Sequence, residues 1–320
     1  MSDFHWAGPA EQARSGHETR VIKNPALRWA ASAWRRWVWL AEPHRHNDRV
    51  QAICDRAGPV DRVLANGDFT LDSGFVGASD PAALASSAEC LAVLRQTYGS
   101  RLLTTIGDHD LGKTSLFGGA GGLRRRSLEQ CELELGLRRF WVEEVSPGWL
   151  FVGVTSSLVA WPMFELESLP EERDWWRHQH AEHLAAISGV FQGLGPGQQI
   201  VLCCHDPSAL PFLYRETVIR ERLGRVALTL IGHLHSRAIL RAARGLAGCP
   251  RVTWLGVTAR RYTTALRDAR CWRDFRVDLC PSPAGIQLLK DGGWLTVDLD
   301  CPGSLPVVGR HRLGWEVPRG

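Results

Sequence analysis

Five short apolar runs, each ending on side chains of metal-binding type, constrain this chain more than any other feature. Residues 37–40 lead to Glu42 and His44, and residues 63–65 to Gly67-Asp68. Residues 102–106 lead to Gly107-Asp108-His109-Asp110, residues 200–204 to His205, and residues 226–231 to Gly232-His233-Leu234-His235. Runs of this length read as strands, and further strands are read at 149–155, 251–257 and 294–299. Helical patterns at 81–96, 171–191 and 212–223 lie between them, so the alternation predicts an α/β layered fold. Asn24-Pro25 reads as an N-cap followed by a first-turn proline, opening an amphipathic helix to about Arg36. In such folds ligands bind at the carboxyl ends of strands, so the five tips can converge.

The 320 residues suffice for one large domain or two small ones, and 44% hydrophobic against 22% charged residues excludes disorder and coiled coil. No apolar run is long enough to span a bilayer, and the first twenty residues lack the apolar stretch of a secretory signal. Nine cysteines without a C-x-x-C pair, two of them adjacent at Cys203 and Cys204, predict reduced thiols in a cytoplasmic protein. A net charge of +4 with scattered arginines offers no nucleic-acid reader. Three sections are expected: an extension with its helix over 1–36, a main domain over 37–300 carrying a loop or cap at about 111–141, and a tail over 301–320.

Two metal ions need about eight oxygen and nitrogen ligands, which the five tips supply. A rival lies in Gly107 to Thr114, which satisfies the G-x-x-x-x-G-K-[ST] phosphate loop. Two aspartates inside that loop would repel an anion, however, and the glycines near Gly118 make a poor helix start. His178, His180 and His183 share a helix and read chiefly as a solvated face; Arg124, Arg125 and Arg126 read as a charge run or a second phosphate contact.

The ordered set Glu42-Pro43-His44, Gly67-Asp68, Gly107-Asp108-His109-Asp110, His205 and Gly232-His233-Leu234-His235 resembles the calcineurin-like metallophosphoesterases. Their motifs run Asp-x-His, Gly-Asp, Gly-Asn-His-Asp/Glu, His, Gly-His-x-His, over about two-thirds of the chain. The resemblance implies two mixed sheets flanked by helices in an α-β-β-α sandwich, with a cap. It implies Glu42, His44 and His235 on one metal, Asp108, His205 and His233 on the other, and Asp68 bridging. It further implies a metal-bridging hydroxide attacking phosphorus, His109 beside the leaving group, and Asp110 orienting His109. Lys113 and Arg124–Arg126 are expected to contact substrate. Glu42 stands in place of Asp, and Asp108 in place of Asn. Together with Asp68 and the hydroxide they would balance two divalent ions, favouring manganese over iron, zinc or magnesium, or a mixed ferric/divalent pair, and weakening attraction for an anionic substrate. The implied reaction is hydrolysis of a phosphodiester or pyrophosphate. UDP-2,3-diacylglucosamine of lipid A synthesis, or a similar lipid-linked nucleotide sugar, suits the Trp/Arg-rich helix near residue 30. That reading places the chain on the inner face of an anionic membrane. A soluble nucleotide phosphodiesterase and a metal-free binding module are the alternatives.

Overall fold

The structure, a computed structural model, describes residues 1–14, 16–115, 120–254, 256–301 and 303–314, with the backbone alone at 256–258. Strands β1 (Val63–Asn66) and β2 (Leu102–Thr105) pair in parallel, Val63 opposite Leu102. A second sheet holds five strands in sequential order: β3 (Phe140–Ser146), β4 (Trp149–Val154), β5 (Gln199–Cys204), β6 (Val226–Ile231) and β7 (Val277–Leu279). The β3–β4 pair is antiparallel and the remaining pairs are parallel. Strands β8 (Gly293–Asp298) and β9 (Val307–Arg312) form a separate antiparallel pair. The fold is α/β, as the alternation predicts.

Every residue of β6 is buried and β5 exposes only its first residue in part, the continuous apolar pattern of parallel strands covered on both faces. Alternate residues therefore enter two cores. Ile200, Leu202 and Val226 join Leu91, Leu94, Trp176 and Phe191 from helices Pro81–Tyr98 and Arg173–Gln192. On the other face Val201, Cys203, Leu228 and Leu230 pack with Leu103 of β2 and with Trp141 and Trp149. Burying each large side chain contributes about 1.5–3 kcal/mol. Cys203 and Cys204 are buried and unpaired, as expected of reduced thiols, and all nine cysteines are free. No helix among the described residues is long and apolar enough to cross a membrane.

Helix Pro25–Trp37 starts as expected: the Asn24 side chain accepts hydrogen bonds from the backbone N–H groups of Ala26 and Leu27. Residues 37–40, however, form no strand. Helical periodicity continues through Trp37, and the N–H groups of Val38 and Trp39 both turn back onto the Trp34 carbonyl. The run 251–257 likewise forms no strand, because helix Gly256–Asp268 begins within it; Leu255 lies outside the described residues. Residues 212–223 divide into helices Leu210–Arg215 and Thr217–Glu221, since Glu216 is extended. Strands β3, β7 and β9 were not expected. The adjacent Glu143 and Glu144 that interrupt β3 and the brevity of β7 hide these two from a hydrophobic-run reading. Within the expected extension over 1–36, residues 1–6 are hydrogen-bonded along β1 and beyond it. Strand β9 lies within 301–320, so part of the expected tail is sheet, and residues 315–320 fall outside the described residues.

Candidate metal centre

The carboxyl tips of β1, β2, β5 and β6 converge, and the segment Met1–Trp6 completes the ring. Met1 N donates to Leu64 O, Asn66 N to Met1 O, Asp3 N to Gly67 O and His5 N to Asp68 O, so this segment runs parallel to β1. Asp3 and His5 are thereby set beside Asp68 at one end and His235 at the other. Four overlapping groups of ligand atoms result, each within 4.8 Å: Asp3–His5–His235, His5–Asp68–His109, Asp3–Asp68–His205 and Asp108–His205–His233. Asp68 is shared between the two sides of the cluster.

The tips meet because glycines precede the ligands. A Cβ on Gly107 would lie 2.1 Å from Asp68 Oδ1 and 2.3 Å from the Asp68 nitrogen; one on Gly232 would lie 1.8 Å from Ser2 Oγ. The ligand residues themselves are strained. Asp3, His5, Asp68, His233 and His235 all have positive φ, between 44° and 63°, where non-glycine residues are disfavoured. Asp3-Phe4-His5 and His233-Leu234-His235 share both spacing and this alternating left-handed backbone. The two pieces are also joined, since His233 N donates to both oxygens of Asp3 at 2.8 and 3.0 Å.

Charge divides the cluster. His205 Nε2 lies 3.1 Å from Asp68 and 3.2 Å from Asp108, and its Nδ1 is 2.6 Å from the Asn66 carbonyl. Burial opposes its protonation, but Asp68, Asp3 and Asp108 outweigh that and hold the imidazole well above its ordinary pKa. His233, 3.0 Å from Asp108, is raised the same way against its own burial. On the other side burial and neighbouring histidines depress His5 to about 4 and hold His235 well below its ordinary value. Two neutral imidazoles thus face each other, Nε2 to Nε2 at 3.1 Å, with Asp3 Oδ1 3.4 Å from His235 Nε2. Their Nδ1 atoms are buried without hydrogen-bond partners. At most one proton fits between two such nitrogens, so at least one lone pair remains directed into the gap. Three buried carboxylates and five histidines gathered in these groups suit cations and could hold metal ions.

Of the residues singled out by sequence, Asp68, Asp108, His109, His205, His233 and His235 are brought together. Glu42 and His44 are not. Glu42 is exposed and pairs with Arg45 at 3.2 Å, while the His44 ring packs edge-on to His17, 5.0 Å away. With no strand at 37–40 there is no strand tip to carry them inward; Asp3 and His5 occupy that place. Their Asp-x-His spacing was the available signal, but only two residues precede it, too few to read as an apolar run.

The Asp110 carboxylate is engaged by backbone rather than by the His109 ring. It accepts from the backbone N–H groups of Gly107 (2.8 Å), Phe69 (2.9 Å) and Asp68 (3.0 Å), locking β1 to β2, while burial and Asp68 raise it to about 7. The Leu71 carbonyl, 2.9 Å from His109 Nδ1, orients that ring instead. Lys113 Nζ sits 2.8 Å from Asp108 Oδ2 and 3.5 Å from His109 Nε2. Arg124 is turned to the carbonyls of Gly121 and Leu123; Arg125 pairs with Glu129 and lies over Trp175; Arg126 is exposed. His183 is buried and accepts from Thr155 N, His180 lies 2.8 Å from the Leu158 carbonyl, and only His178 is on a solvated face. The chain matches no family model and no curated protein.

Proposed function

We propose that this chain is a dinuclear-metal-dependent phosphoesterase of the calcineurin-like kind, cleaving a phosphodiester or pyrophosphate. The observation that carries the reading is the convergence of Asp3, His5, Asp68, Asp108, His205, His233 and His235 from segments remote in sequence. Asp3, His5 and His235 would hold one ion, and Asp108, His205 and His233 the other, with Asp68 between them. Bound there, a pair of ions such as manganese supplies Lewis acidity toward phosphoryl oxygens and an acidified water. The two-sheet packing across Leu103, Phe151 and Val201 supports the α-β-β-α sandwich that belongs to this reading.

The chain's own groups supply the rest. Asp68 and Asp108 favour the protonated forms of His205 and His233, and any such proton must leave the ligating nitrogen for it to serve as a ligand. His109, whose Nδ1–H donates to the Leu71 carbonyl, turns Nε2 toward the Lys113 ammonium 3.5 Å away, so a proton for the leaving oxygen would come from Lys113 directly or through that nitrogen. Burial holds it below the ordinary histidine pKa, and Lys113 beside it supplies positive charge for an anionic substrate.

A lipid-linked nucleotide is favoured over a soluble one by the aromatic path from surface to centre. Trp39 packs 5.1 Å from His235 and stacks on Trp34, and helix Pro25–Trp37 exposes Trp29 at 75% and Trp37 at 70%. Metal analysis and hydrolysis of bis(p-nitrophenyl) phosphate by wild type and Asp68→Asn test the reaction. Bound metal and turnover are expected in the wild type, and loss of both in the variant. A wild type that takes up no metal and cleaves no ester would leave the alternative of a binding module.

A further inference from the structure

A cavity of about 200 Å³ lies outside the cluster, and five arginines line it: Arg215, Arg251, Arg260, Arg261 and Arg267. Among the described residues the only carboxylate in its lining is Asp268, which is already divided between Arg215 at 3.1 Å and Arg267 at 3.2 Å. Arg260, Thr264 and Arg267 recur at i, i+4 and i+7 on helix Gly256–Asp268, which places them along one face. Met163 and Phe212 supply an apolar wall, and the Arg215 guanidinium lies over the Phe212 ring. Arg261 is fixed from behind, Nη1 donating to both oxygens of the buried Glu167 at 2.8 and 3.0 Å. It is also close enough to Asp108, Asp206 and Lys113 to interact with them electrostatically, so this arginine of the cavity lining is coupled to the cluster.

A chain whose whole net charge is +4 has concentrated five guanidiniums around one small cavity against two carboxylates, Asp268 in the lining and Glu167 behind Arg261. Like charges held together in this way repel unless an anion joins them, and the planar fork of arginine matches phosphoryl oxygens in pairs. We infer that this cavity is a phosphoryl-binding site, separate from the metal centre and joined to it through Arg261, which holds a second anionic group of the molecule the centre cleaves. The assignment of a cleaved molecule rests on the phosphoesterase reading; the binding site does not. The substrate class it names is an ester carrying a further phosphate beyond the scissile one.

Calorimetry with inorganic pyrophosphate on the full chain, stripped of metal by chelation, isolates this site from any phosphate held by ions. Wild type should bind, and Arg251→Ala/Arg260→Ala should bind at least ten-fold more weakly with an unchanged melting temperature, because both side chains are exposed. No binding by the wild type, or equal affinity in the double variant, overturns the site. Vesicles containing phosphatidic acid locate the source of the group. Pelleting abolished in the double variant assigns a lipid headgroup, and pyrophosphate binding without pelleting assigns a soluble one. With a nucleoside diphosphate ester as substrate, the double variant should raise KM about ten-fold while kcat holds; an unchanged KM overturns the link to the centre. If the wild type cleaves no ester yet binds pyrophosphate through these arginines, the phosphoesterase reading fails and the site stands.

Discussion

Lys113 places its ammonium 2.8 Å from Asp108 Oδ2, with both side chains largely withdrawn from solvent. The pairing answers the charge that Asp108 introduces where the resemblance puts asparagine. Asp3 in place of Glu42 leaves the count of carboxylates unchanged, and Lys113 adds one positive charge beside Asp108.

Removing one partner of such a pair leaves the other buried and alone. Lys113→Met should destabilise the chain by about 3 kcal/mol, and Asp108→Asn/Lys113→Met should recover most of that loss. Urea unfolding of the two single variants and the double variant measures the coupling; losses that simply add would show that the two groups do not compensate each other.

Metal uptake should be visible as stability. At a hundred-fold excess over Kd, one bound ion adds about 2.7 kcal/mol. Chelated protein titrated with manganese, zinc or magnesium should therefore melt at a higher temperature, with the rise largely lost in Asp68→Asn. A melting temperature indifferent to all three ions would deprive the centre of its occupant.

Two glycine substitutions should act in opposite directions. Gly107→Ala drives a methyl into the Asp68 backbone, at an expected loss of at least about 3 kcal/mol and of metal uptake. Gly189→Ala, in helix Arg173–Gln192 with nothing within 4 Å of the new carbon, should gain about 0.5–1 kcal/mol. Thermal unfolding of both variants decides the matter, and a harmless Gly107→Ala would contradict the close approach of β1 and β2.

His183 makes stability depend on pH away from the centre. Burial, Arg139 and His180 lower its pKa from 6.5 to about 3, and neutral Nε2 accepts the Thr155 N–H at 3.2 Å. The unfolded chain therefore binds a proton between these values that the folded chain refuses. This contribution is complete above 6.5 and is lost as pH falls toward 3, about 2 kcal/mol by pH 5. His183→Gln removes the titrating group, so the difference in unfolding free energy between wild type and variant should narrow by that amount from pH 7 to pH 5. A constant difference would mean that His183 titrates normally.

The α/β class and four of the strand tips were legible because buried parallel strands are written as uninterrupted apolar runs leading to a ligand, with glycine before it at β1, β2 and β6. Residues 199–204 and 226–231 are the plainest cases. Trp37 to Leu40 misled because an aromatic-rich helical turn and a short strand look alike over four residues. Asp3 and His5 were hidden for the converse reason: their segment borrows its strand character from hydrogen bonds to Leu64, Gly67 and Asp68 and carries little hydrophobic pattern of its own. The role of Asp110 was equally out of reach, because the identity of a residue does not state which backbone groups it will face. The arginines of the second cavity come from helices Leu210–Arg215 and Gly256–Asp268 and from Arg251 between them, so only the tertiary fold assembles them.

The left-handed backbone at Asp3, His5, Asp68, His233 and His235 has a consequence for any attempt to make this protein hardier. Glycine at each position would relax roughly 1 kcal/mol of conformational strain while deleting a donor atom. Selection for heat resistance alone should therefore erode these five positions first, because ruggedness and cation affinity make opposite demands on the same few peptide units.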